Sequence, residues 1–346
     1  MRQHHVVGPM RDRRAVLELT PEGLFCPAGG FHVDPWRPVP RAVVTHGHSD
    51  HARFGHGHYH GAAIGEGILR RRLGADLPFT GHGYGAPFAL GDAKVSLHPA
   101  GHVLGSAQVR IEVEGEVWVV AGDYKREADP SCAPFELVPC DGFVTEATFG
   151  LPIYRWDPGA RVIDDLVAWW EANAQSGRTS LVFCYALGKA QRLLAELGQR
   201  NGRAVFLHGA LVSMVEAYRE AGVALTPTAA VSDQPKSERF RGELVLAPPS
   251  AMATTWMRRF TAPATAFVSG WMRVRGQRRR RGYDRGFVLS DHVDWPDLIR
   301  TVDETGARRV ICAHGQTDTV ARYLREAKGL DAVAIQSLRD GAGDDG

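Results

Sequence analysis

The run Thr45-His46-Gly47-His48-Ser49-Asp50-His51 constrains this chain more than any other stretch. Its imidazoles and carboxylate come directly after the apolar run Ala42-Val43-Val44. That run reads as a buried strand, so the polar cluster falls where a strand ends and a loop begins. His46 and His48 are two apart and point the same way in extended chain. Asp50 and His51 come after the turn and can face a second position. Two ligand pairs from one short loop suggest two metal ions rather than one. Imidazole nitrogen and carboxylate oxygen suit zinc, manganese or iron, with no thiolate needed. A polar surface loop that happens to be His-rich is the plainer alternative, and the spacing HxHxDH is too specific for it.

More donors follow. Val95-Ser96-Leu97-His98 is a short strand signal leading into Pro99-Ala100-Gly101-His102-Val103-Leu104-Gly105-Ser106. Glycines on both sides of His102 let the backbone turn tightly and bring the ring inward. Val117-Trp118-Val119-Val120-Ala121-Gly122-Asp123 reads as a buried strand ending on an aspartate. A carboxylate there is costly to bury unless something pairs with it, and a metal would. Alone, a strand-end Asp is more often a cap or turn residue. Beside the first cluster, at a similar strand end, it gains weight.

With 346 residues the chain has room for about two domains. At 44% apolar and 23% charged residues it has the composition of a soluble globular protein. No apolar run approaches the roughly 18 residues of a membrane span. MRQHHVVGPMRDRR lacks the apolar core of a secretory signal. The five cysteines are scattered and odd in number, which fits a reducing cytoplasm better than a disulfide framework.

Net charge is only +2, so any polyanion-binding signal has to be local. Between Arg273 and Arg285 there are seven arginines and a single acid, Asp284. Arg273, Arg275, Arg278, Arg279, Arg280 and Arg281 could track phosphates, with Tyr283 or Trp271 stacking a base. A solvated face explains the run equally well. Arg70-Arg71-Arg72 reads as a solvated helix face, and His56, His58 and His60 as surface residues.

After residue 156 the pattern is that of a separate α/β lobe. Asp157-Pro158 predicts a helix start, Asp as N-cap and Pro at the first helical position. Ile163, Leu166, Val167 and Trp170 follow on one apolar face, and Gly177 closes the helix. A strand over Ser180 to Cys184 and a helix over Lys189 to Leu197 come next. Trp169 and Trp170 cannot both face the core equally, which suggests a domain contact for one, but core positions for both are the expectation.

The order HxHxDH, then a Gly-flanked His, then a strand-end Asp resembles the metallo-β-lactamase superfamily. AGHVLGSA around His102, TEATFG with Glu146, LVFCYALGKAQRLLAEL, SDHVDW with His292 and VICAHGQ with His314 are similar to its β-CASP branch, which acts on nucleic acids. The resemblance implies an α/β fold: an αββα metallo-β-lactamase sandwich (residues 1–155 and 286–346) interrupted by a β-CASP α/β insertion (156–285). It implies that His46, His48 and His102 hold one divalent ion, that Asp50, His51 and His314 hold the other, and that Asp123 bridges them. Zinc comes first, with manganese also suited. Asp34 in FHVDPW would orient a ligand histidine or its loop, although an ordinary turn acid before Pro35 is the alternative. Glu146, His292 and the ligand Asp50 are the implied catalytic residues, His292 as general acid aimed by Glu146.

FHVDPW, VTHGHSDH and VSGWM look most like the bacterial ligase-associated DNA exonucleases. That likeness implies trimming of DNA ends in repair, alongside a DNA ligase and a helicase, in the cytoplasm. A histidine at the last motif is also typical of RNA-processing members, so an RNA-processing ribonuclease is the alternative. A non-catalytic scaffold is a second alternative, which the complete ligand set opposes.

Overall fold

A computed structural model describes residues 15–274 and 282–335 and arranges them around three sheets. The first runs in sequence order: β1 (Glu18–Thr20), β2 (Gly23–Cys26), β3 (Phe31–Val33), β4 (Ala42–Val43), β5 (Tyr59–Ala62) and, after helix α1 (Glu66–Leu73), β6 (Phe79–His82). The second begins with β7 (Phe88–Leu90), β8 (Ala93–Pro99), β9 (Ala107–Val113), β10 (Glu116–Val120) and β11 (Gly142–Ala147).

The third sheet comes entirely from the middle of the chain. Helix α2 (Gly159–Gln175) leads to β12 (Ser180–Phe183), α3 (Lys189–Arg200), β13 (Val205–Leu207), α4 (Gly209–Glu220), β14 (Thr228–Ala230), β15 (Leu244–Ala247), β16 (Ala264–Val268) and β17 (Arg285–Phe287). Its order is β14-β13-β15-β12-β16-β17 and every pairing is parallel. The chain then returns through α5 (Trp295–Thr305), β18 (Arg309–Gly315), α6 (Thr317–Lys328) and β19 (Asp331–Ala334). β18 pairs with β11 and completes the second sheet as β19-β18-β11-β10-β9-β8-β7.

The buried apolar residues define the layers. Phe31, Val33 and Val43 of the first sheet pack against Val95, Val109 and Val120 of the second. Leu69 and Leu73 of α1 cover the outer face of the first sheet, against Ala42 and Tyr59. Leu298 and Val302 of α5 and Val320 and Leu324 of α6 cover the outer face of the second, against Val119 and Phe143. The result is helix, sheet, sheet, helix, each element burying its apolar face against the next.

The third sheet is covered on both faces, as its parallel strands require. In β12, Val182 faces Leu166 and Trp170 of α2 and Leu193 of α3, while Leu181 and Phe183 face Phe240, Phe260 and Met272. The two-residue period of a strand thus buries both sides of one apolar run. Trp170 is completely buried, and Trp169 packs half-buried on the same core against Phe287. Both are core residues of this lobe.

Several local expectations shift. Helix α2 starts at Gly159 with Pro158 in the cap position and no side-chain cap. Glu127, from a distant loop, accepts from the Gly159 N–H instead at 2.7 Å, and Asp157 faces Arg273 at 3.5 Å. The Arg70–Arg72 run is not merely solvated: Arg71 pairs with Glu220 of α4 at 2.6 Å, and Arg72 donates to the Gly47 carbonyl. His56 and His60 are buried rather than on the surface, with His60 Nδ1 3.0 Å from His82 Nε2. No helix among the described residues is long and apolar enough to cross a membrane.

Candidate metal centre

Strands β8, β10, β11 and β18 all run the same way, so their C-terminal ends meet at one edge of the second sheet. Open α/β sheets present ligand sites at that edge. The first sheet reaches the same place, because the Thr45 carbonyl just past β4 accepts from Ala107 N at 2.8 Å. Asp123 lies three residues beyond the end of β10, after a turn at Gly122. Gly122 has φ 59°, and a Cβ there would stand 2.6 Å from Thr45 Oγ1, so the turn has room for glycine alone. His314 is the extra residue where the β11–β18 register shifts, with φ 57°. A bulge of this kind re-aims a side chain, here towards His51, whose ring centroid is 4.8 Å away.

The donors form three groups: His46, His48, His102 and Asp123; Asp50, His51 and His314; and Asp123, Glu146 and His292. Nε2 of His46 and Nε2 of His102 lie 3.0 and 3.1 Å from Nδ1 of His48. Oδ2 of Asp123 is 3.6 Å from His46 Nε2, 3.7 Å from His102 Nε2 and 3.5 Å from His51 Nε2. One carboxylate oxygen therefore stands between the first two groups. His51 Nε2 is also 3.7 Å from Asp50.

The outward nitrogens show what the inward ones must be. His48 Nε2 faces the Leu187 carbonyl at 3.2 Å, and His102 Nδ1 faces the Asp291 carbonyl at 2.7 Å. His51 Nδ1 meets Asp34 Oδ2 at 2.7 Å. Thr45 Oγ1 donates to Asp34 Oδ2 at 2.6 Å and so accepts from His46 Nδ1 at 3.1 Å. Each of those acceptors needs the ring proton, which leaves bare lone pairs converging inside. Nε2 of His51 is buried, and the groups facing it are the Asp123 and Asp50 carboxylates at 3.5 and 3.7 Å, too long for good hydrogen bonds. Unpaired lone pairs about 3 Å apart repel unless a cation lies among them, and the spacing suits nitrogen ligands on a tetrahedral ion.

Electrostatics agree. Burial, reinforced by the neighbouring rings, holds His46 and His102 well below the ordinary histidine value, so both are neutral donors. At His51, burial opposes charge, but Asp123, Asp50 and Asp34 outweigh it and raise its pKa well above the ordinary value. Three acids around one ring attract a cation. Asp123 stays ionised because His51 and His292 overcome the upward push of burial.

Across from Asp123, His292 Nδ1 lies 2.9 Å from Glu146 Oε2, and Glu146 Oε1 accepts from Tyr124 N at 2.9 Å. Burial opposes charge on His292, but Glu146 and then Asp123 push its pKa up to about 9. Burial also raises the Glu146 carboxyl, with His292 beside it pulling the other way.

Asp34 has the strained φ of 44° and accepts from Thr45 N at 2.7 Å as well as from His51. It therefore fixes the His51 ring and the backbone beside His46 at once. Thr45 and Trp156 escaped the sequence reading. Trp156 donates its Nε1–H to the His292 carbonyl at 2.9 Å and its backbone N–H to Asp294 at 2.9 Å. Thr45 was visible within the opening run, whereas nothing around Trp156 announced its contact.

Of the arginines in the basic run, the described residues include only the two ends, Arg273 and Arg285. Arg273 pairs with Asp157, and Arg275, Arg278, Arg279, Arg280 and Arg281 lie outside the described residues. Tyr283 stacks on Phe267, with 5.2 Å between ring centroids, and that face is thereby taken. Trp271 packs on Phe149, whose ring is 5.8 Å from His292.

No family model matches the chain. A protein described as "Probable DNA ligase" from Opitutus terrae is 34% identical over 326 residues, 90% of this chain and 30% of that protein. This chain thus spans under a third of that relative's length. "Endoribonuclease YSH1" of Gibberella zeae is 31% identical over 35% of this chain and 14% of its own. "Cleavage and polyadenylation specificity factor 73" of Drosophila melanogaster is 36% identical over 29% of this chain and 15% of its own. Among solved structures, a protein of unknown function from Enterococcus faecalis V583 superposes with a TM-score of 0.57 at 11% identity, covering 87% of this chain and 79% of that one, a likeness of fold.

Proposed function

The chain belongs to the metallo-β-lactamase superfamily, in its β-CASP branch with an inserted α/β lobe, and from that premise we propose a two-metal phosphodiesterase that trims DNA ends. The observation that carries this reading is Asp123 Oδ2, placed between two donor groups and 3.8 Å from His292 Nδ1. Two divalent ions held there, zinc first, would supply an activated water and neutralise charge on the phosphoryl oxygens. His46, His48 and His102 would hold one, Asp50, His51 and His314 the other, with Asp123 shared. With Nδ1 engaged by Glu146, His292 has Nε2 free to give a proton to the leaving alkoxide. Glu146 keeps that ring charged and aimed.

DNA as substrate rests on the ligase-described relative, which matches over nearly the whole of this chain. A functional association with a ligase and a helicase in cytoplasmic end repair follows from the same reading. The endoribonuclease relatives match over about a third of it and favour RNA as the second reading. A non-catalytic scaffold would have no use for this full donor set. Purified protein with zinc or manganese, given 5′- and 3′-labelled DNA and RNA of one sequence, decides between them. Progressive shortening of DNA from one end is expected. Preferential cleavage of RNA would sink the DNA reading, and fewer than two bound metals would sink the two-metal one.

A further inference from the structure

We propose that the inserted lobe completes one metal site and leaves the other independent of it. The asymmetry lies in the partners of the outward-facing ring nitrogens. At the Asp50–His51–His314 group, the partner of His51 is Asp34, at the end of β3 in the sandwich itself. At the His46–His48–His102 group, one of the three partners belongs to the lobe and a second lies in the returning chain that the lobe holds. His48 meets the carbonyl of Leu187, in the turn between β12 and α3, and His102 meets the carbonyl of Asp291, in the chain leaving β17.

Asp291 is held where it is by charge. Its carboxylate takes Lys189 Nζ at 2.7 Å and Arg192 Nη1 at 3.1 Å, both from the first turns of α3. Arg192 Nη1 also donates to the Ser290 carbonyl at 2.7 Å. The other charges facing this cluster come from the loop after Asp123: Glu127 accepts from Arg192 at 2.9 Å, and Asp129 receives Lys125 and lies 3.7 Å from Arg192 Nε. Lys125, Lys189, Arg192 and Asp291 are all buried.

Breaking such a buried set leaves uncompensated charge, which makes its geometry stiff. The aspartate sits at the start of α3, where the helix dipole favours an anion. The α3 start is therefore clamped to the segment that carries both the His102 partner and His292. Apolar contacts seal the same seam: Leu187 and Tyr218 of the lobe pack with Ile68 and Leu104 of the sandwich, and Tyr218 Oη accepts from Leu104 N at 3.0 Å.

Outer partners fix the ring orientation and basicity of ligand histidines, and their loss typically weakens metal binding by about 10- to 100-fold. Asp291, Lys189 and Arg192 are accordingly positioning residues for one site. The inference rests on the two-site reading above but is read by metal affinity, so it survives or fails whatever the substrate proves to be.

The test is zinc affinity, measured by competition with a chromophoric chelator, in two backgrounds. His314→Ala disables the independent site, and His48→Ala the lobe-dependent one. Adding Asp291→Asn to His314→Ala should raise the remaining Kd about tenfold or more. Adding it to His48→Ala should leave Kd within about twofold. Lys189→Gln, a milder change to the same clamp, should reproduce this split in a smaller degree and serves if Asp291→Asn fails to fold. Equal weakening in both backgrounds, or none in either, overturns the proposal.

Discussion

At the scale of single residues, His292 and Glu146 give the sharpest expectation. Proton donation requires the charged ring, and Glu146 is the largest influence holding its pKa near 9, against burial. The required form is full well below that pKa and is lost as pH rises through it. The alkaline limb of kcat should therefore fall near pH 9, and Glu146→Gln should bring it down towards the unperturbed value of about 6.5. His292→Ala should retain both metals and lose about 10²- to 10⁴-fold in kcat. A variant that also lost metal would make the ring a ligand instead. The clustering of the donors was legible because imidazole and carboxylate are rare in such a spacing. The partners of their outer nitrogens were not, since Leu187 and Asp291 act through main-chain carbonyls that no residue type encodes. The unexpected burial of His56 and His60 has a related cause. A polar ring reads as exposed until a neighbour such as His82 or the Val39 N–H, 3.3 Å from His56 Nδ1, is brought to it by the sheet.

At the scale of elements, apolar runs located most of the relevant strands and the helix over Lys189, while the turns between them carried the precision. The Val117–Asp123 run read as one strand, yet it pairs only to Val120, and a left-handed Gly122 packed against Thr45 makes the turn before Asp123. Gly122→Ala tests that geometry. Its Cβ would press on Thr45 while the backbone carried a strained φ, at a cost of about 1–3 kcal/mol. Denaturant midpoints should fall accordingly, and metal affinity with them, because Thr45 supports both His46 and the Asp34 that orients His51. Unchanged metal affinity would mean that Thr45 is not part of the support. The bulge that turns His314 inward was equally silent in VICAHGQ, since a register shift depends on the partner strand, β11, rather than on local sequence. The same holds for α2, whose cap came from Glu127 and not from the Asp157 beside it.

At the scale of the whole molecule, the site lies where the sandwich meets the third-sheet lobe, and both sides deliver groups to it. Arg71 of α1 pairs with Glu220 of α4 on that seam, so one of the basic runs is spent on holding the lobes together. The other, from Arg273 onward, starts at a turn whose Trp271 packs on Phe149, one ring away from His292. A nucleic-acid strand entering the site would pass close to that turn. For a single strand, each phosphate neutralised adds about 0.7 to the slope of log affinity against log salt. Replacing Arg278, Arg279, Arg280 and Arg281 together by glutamine should thus flatten the slope by up to about 3 if every one meets a phosphate. Arg273→Gln should flatten it less than any of those, because Arg273 already faces Asp157. Since metal ligands are untouched, single-turnover cleavage at saturating substrate should stay within about twofold while affinity at moderate salt drops. A slope that does not move after the fourfold change removes the run from the binding path and leaves it a solvated surface.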